Sequence, residues 1–87
     1  MFNEKDERYI KQLCEYWRGT RKAYENAVNL GTRDEVKLLN GALSYQMGII
    51  SGVINYIGER DGRKFHHNFY YNILTIVDIN TGELVEF

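Results

Sequence analysis

Apolar positions along this 87-residue chain follow two different periods. Up to about residue 60 they recur every three or four residues, the spacing of one helix face; from Phe69 they alternate, the spacing of a strand. The first helical stretch covers 4–30. Its apolar line is Ile10, Leu13, Trp17, Tyr24 and Ala27, with Thr20 at the missing step. Tyr9, Tyr16, Ala23 and Leu30 widen that face, and Cys14 and Val28 lie on it. Asn3 is placed to cap the first turn, where Glu4 and Asp6 favour the positive end of the helix dipole.

Leu30-Gly31-Thr32 marks the boundary. Gly31 can take the left-handed conformation that ends a helix. Thr32-Arg33-Asp34-Glu35 has the spacing of a capping box, so a second helix is predicted over 32–60. With almost no loop between them, the two helices must run antiparallel.

Leu38 to Gly58 is a stretch of 21 residues without charge. Leu39, Leu43, Ile50, Val53 and Ile57 form its apolar line. A second line of small residues, Gly41, Ser44, Gly48, Ser51 and Asn55, runs beside it, with Gly52 adjacent. Each glycine costs a helix about 1 kcal/mol relative to alanine, so three in one helix imply a close neighbour. The length would suit a membrane span, but Asn40, Gln46 and Asn55 are unfavourable in lipid and no membrane contact is expected.

Phe69, Tyr71, Ile73, Thr75 and Val77 alternate with Tyr70, Asn72, Leu74 and Ile76, which predicts one strand, apolar on both faces. Asp78-Ile79-Asn80-Thr81-Gly82-Glu83 is turn chemistry, with Gly82 suited to a left-handed position. Leu84, Val85 and Phe87 return, so 69–87 reads as a β-hairpin. The fold class is α+β: one domain over 1–87, a long antiparallel αα-hairpin followed by a C-terminal β-hairpin.

Helices of this length are about 40 Å long, whereas a compact globule of this size is about 30 Å across. Two wide apolar faces of that length exceed what one neighbour and a short hairpin can cover. A homo-oligomer is therefore expected, with Gly41, Ser44, Gly48, Ser51, Gly52 and Trp17 at its interface.

Composition narrows the function classes. The net charge of −1 argues against a mainly electrostatic nucleic-acid binder. One cysteine excludes an intrachain disulfide and fits a reducing compartment, and the polar N-terminus has no signal-peptide pattern; a cytoplasmic protein is expected. Seven tyrosines are many for this length and suit interfaces. Arg18, Arg21 and Lys22 on the first helix, and Arg60, Arg63 and Lys64 with His66 and Tyr70 near the link, are the candidate partner- or anion-binding residues. No nucleophile–base pair, phosphate loop or metal spacing is present, so neither catalysis nor a metal or other cofactor is expected.

The leading reading is a non-catalytic oligomeric interaction protein that inhibits or regulates a macromolecule by direct binding. The size and composition fit a small accessory protein of a bacteriophage or mobile element. One alternative is a binder that sequesters a nucleotide-like anion between subunits, arginines on phosphate and tyrosine on the base. Another is a nucleic-acid binder using the local basic patch.

Overall fold

The computed structural model describes all 87 residues. Two helices, α1 (Glu4–Leu30) and α2 (Arg33–Asp61), are followed by strands β1 (Phe65–Tyr70), β2 (Ile73–Asp78) and β3 (Leu84–Glu86). The strands form one antiparallel sheet in the order β1-β2-β3. The molecule is elongated, 45 × 20 × 18 Å, as the helix lengths require. No helix is long and apolar enough to cross a membrane.

Capping sets the helix ends. The Asn3 side chain accepts from the Asp6 amide at 2.8 Å, and the Thr32 hydroxyl accepts from the Glu35 amide at 3.2 Å. Gly31 is not left-handed as predicted; it is extended (φ −98°, ψ −172°). Its glycine answers a lack of space instead, since a Cβ there would lie 2.9 Å from the Ala27 backbone. The left-handed C-cap occurs at the other end of α2, at Gly62 (φ 65°). There the Gly62 amide donates to Glu59 O and the Arg63 amide to Gly58 O, which reverses the chain toward the sheet.

The predicted single strand from Phe69 is two strands. β1 begins at Phe65, inside the stretch read as a basic link, and a two-residue loop at Tyr71-Asn72 joins it to β2. Tyr71 carries the positive φ (53°) that such loops need, unusual for a side chain of this size. Three contacts hold it: Arg18 Nε donates to Asn72 O at 2.6 Å, the Arg21 guanidinium lies 5.5 Å from the Tyr71 ring, and Tyr70 meets it edge-on at 4.6 Å. The loop also changes the faces. Pairing of Tyr70 with Ile73 puts Phe69 on the side of Leu74 and Ile76, whereas unbroken alternation would group Phe69 with Ile73.

The inner sheet face lies over the α1 N-terminal half and the α2 C-terminal half. Ile10, Cys14, Trp17, Ile50, Ile54, Ile57, Leu74 and Ile76 form the core there. Trp17 is only 1% exposed and meets the Phe69 ring edge-on at 5.1 Å. Its expected place at an oligomer interface is thus corrected: the sheet takes it into the core of a single chain. Phe2, which the periodicity did not mark, packs on Phe65 and Phe87 at 5.2 and 6.1 Å.

The other half of the helical hairpin has no third layer. Beyond Trp17, Ala27 alone is buried in α1, and α2 buries nothing before Ile50. Leu30 and Leu38 are 90% and 74% exposed. Tyr9, Tyr16 and Val28, grouped above with the inward face of α1, are exposed as well.

Candidate functional site

The structure disperses the candidate cations. Arg60 is held by Asp6 at 2.6 Å and Asp61 at 2.8 Å, tying the start of α1 to the end of α2. Its hydrogen bonds to the Asp61 and Asp6 carboxylates raise its pKa further, and the same contact lowers that of Asp61. Arg63 donates to Asp78 at 2.8 Å and to Met1 O at 2.7 Å. Both arginines are therefore held by carboxylates of the same chain, Arg60 at the surface and Arg63 half-buried. Lys64 and His66 stay exposed, the latter on the outer sheet face opposite Val77.

Arg18 and Arg21 brace the β1–β2 loop, and Tyr70 stacks there on Tyr71. Arg21 also pairs with Glu25 at 3.4 Å. Only Lys22 of that trio points freely to solvent. The Arg18 and Arg63 contacts sit at opposite ends of β2, about 17 Å apart for a six-residue strand. The six cations do not converge on one ligand.

Asp78, read from the sequence only as a turn residue, organises this end of the sheet. It is buried, with its Oδ1 accepting from the Asn80 and Thr81 amides and its Oδ2 from Arg63. Burial pushes its carboxyl up, but the two amides and the guanidinium outweigh that and hold it below the ordinary carboxylate range. Gly82 is left-handed (φ 75°), as its turn position predicts.

Ser51 belongs to the fold too. Its hydroxyl lies 2.7 Å from His67 Nε2, which links α2 to β1. Burial, with a smaller contribution from His66, lowers the His67 pKa. The native state therefore binds fewer protons than the unfolded chain just below the ordinary histidine pKa. Stability should be full above about pH 6.5 and fall as pH drops from there toward the lowered value. Urea unfolding between about pH 7 and pH 5 checks this, with His67→Gln expected to flatten the slope; carboxylates titrate below that window.

Cys14, the only thiol, is fully buried. Burial pushes its pKa up, only partly offset by the charge of Arg18, which disfavours the thiolate needed for nucleophilic chemistry.

What remains open is the α2 face turned away from its buried line. Gly41, Tyr45, Gly48, Ile49, Gly52 and Tyr56 fall within an arc of about 100° at helical spacing, and all are exposed. Tyr45, Tyr56 and Ile49 are 71%, 65% and 36% exposed. At Gly41, Gly48 and Gly52 an added Cβ would meet nothing within 4 Å. The close neighbour that the glycines imply is thus not supplied by this chain. Ser44 is exposed beside this face. On its flank, a groove of about 320 Å³ between the helices is lined by Tyr9, Ile49, Gly52, Val53 and Tyr56 and closed by the Asp6–Arg60 pair. The small-residue line pointed to this face; the large residues interleaved with it were missed. Their signal was the 45, 49, 52, 56 stepping, which continues the helical period opposite the core. No protein-family model, curated protein or solved structure matches this chain.

Proposed function

We propose that this is a non-catalytic interaction protein that self-associates and acts by binding a macromolecular partner directly, most simply another protein. One observation carries the reading: large side chains and open glycine notches stand exposed along the side of α2 opposite the core. Exposed apolar surface that is contiguous rather than scattered marks interaction sites. Tyrosine is the side chain most suited to such contacts, since it offers large area and a polar tip. The two alternatives drew on a shared cationic patch, and Arg60 and Arg63 are already neutralised within the fold. A cytoplasmic setting, which keeps Cys14 reduced, belongs to the same proposal.

The test is a set of binding measurements on one preparation of the full chain. The reading expects a mass above that of one chain, capture of one defined protein by that assembly, and loss of the assembly in Tyr56→Asp with the helical spectrum retained. Lys22→Glu should leave that mass unchanged, because Lys22 lies on the other helix. A nucleic-acid affinity that falls steeply with salt would overturn the reading, as would a large thermal shift with nucleoside triphosphates.

A further inference from the structure

We infer that a second copy of this chain covers the open face of α2, antiparallel, about a two-fold axis that runs between the two α2 helices at the level of Gly48 and Ile49. The inference rests on the self-association just proposed and adds its geometry. In a two-fold contact, residue i of one copy meets residue j of the other, and j meets i. For an antiparallel helix pair, the numbers of facing residues have a constant sum. Gly41 with Tyr56, Tyr45 with Gly52, and Gly48 with Ile49 each sum to 97. One register therefore sets every large side chain of the stripe on a glycine of the other copy. Those glycines are open, so the notches exist before association. The groove of about 320 Å³ beside Gly52 has room for the incoming Tyr45 ring. A parallel pair would instead set Tyr45 on Tyr45 and leave Gly52 facing Gly52.

Charge agrees with the same register. The stripe is uncharged from Leu38 to Gly58 and is bounded by Lys37 and Glu59. Both are exposed, and neither forms an ion pair within the chain. Their numbers sum to 96, so the antiparallel register brings Lys37 of each copy beside Glu59 of the other, at both ends of the contact. A parallel pair would oppose like charges.

Two experiments on the full chain decide this. Sedimentation of Lys37→Glu and of Glu59→Lys should each show dimer affinity at least tenfold below wild type, and the double exchange Lys37→Glu/Glu59→Lys should restore it. Mixing Tyr45→Cys copies with Gly52→Cys copies under mild oxidation should give a crosslinked heterodimer, with little crosslink in either alone; Cys14 is buried and does not compete. The cysteine mixture decides the matter even where a charge variant fails to fold. Crosslinking of Tyr45→Cys with itself, or an oligomer indifferent to all of these changes, would overturn the antiparallel register while leaving self-association standing. A folded wild-type monomer would overturn both.

Discussion

Trp17→Ala should remove about 3–5 kcal/mol, a large share of this protein's stability. Trp17 is the largest fully buried side chain, and it joins α1 to the sheet through its contact with Phe69. Removing a buried tryptophan costs about 3–5 kcal/mol, through lost transfer energy and the cavity left behind. At roughly 0.05–0.15 kcal/mol per residue, a chain of this length holds about 4–13 kcal/mol in total. Only 11 of 87 residues are buried, so this core has few other contacts to absorb the loss. A thermal melt followed by circular dichroism checks it: the variant should melt about 12–40 °C below wild type, with Trp17→Phe between the two. A native-like melt for Trp17→Ala would mean that the sheet is not held on the helices as described.

Gly19→Ala should stabilise this protein, and Gly58→Ala should leave it no more stable or destabilise it. Both glycines lie within helices, so propensity alone favours each alanine by about 1 kcal/mol. At Gly19 a Cβ meets nothing within 4 Å, and that gain should appear nearly whole. At Gly58 a Cβ would stand 2.8 Å from the Arg63 carbonyl and 3.3 Å from the Phe65 ring. The backbone there is pinned by the Arg63 amide bonded to Gly58 O, so it cannot easily yield. Forcing a methyl into such a site costs about 1–3 kcal/mol, enough to cancel or reverse the propensity gain. Urea midpoints of the two variants measured together give the sign directly.

The helices were legible because their signals are local. Asn3, Thr32 and the three-to-four spacing of Ile10, Leu13 and Trp17 act within one or two turns, and they place the αα-hairpin to within a residue or two. The sheet was only half legible. The Asp78–Gly82 turn carries familiar residue chemistry, whereas the Tyr71-Asn72 loop is held by Arg18 and Arg21, which lie about fifty residues earlier in the chain. No local rule places a tyrosine at positive φ, so the alternation ran through the loop and exchanged the two faces.

The candidate site divides along the same line. Charge counted along the sequence cannot show which arginines find carboxylates in space, and so Arg60 and Arg63 looked free although Asp6 and Asp78 hold them. The glycines of α2 were readable as a request for a close neighbour. Which side they face depends on where the sheet lands, and the sheet covers the opposite side. Trp17 was assigned outward for a related reason: without the third layer, nothing in the chain was available to bury it.

On the proposal above, a single copy leaves the open side of the helical hairpin uncovered and a second copy covers it. Native mass spectrometry of the full-length protein at micromolar concentration tests this most directly. The expected result is a folded species at twice the 10.3 kDa chain mass, or a higher even multiple. A compact, folded species at 10.3 kDa across that concentration range would contradict it.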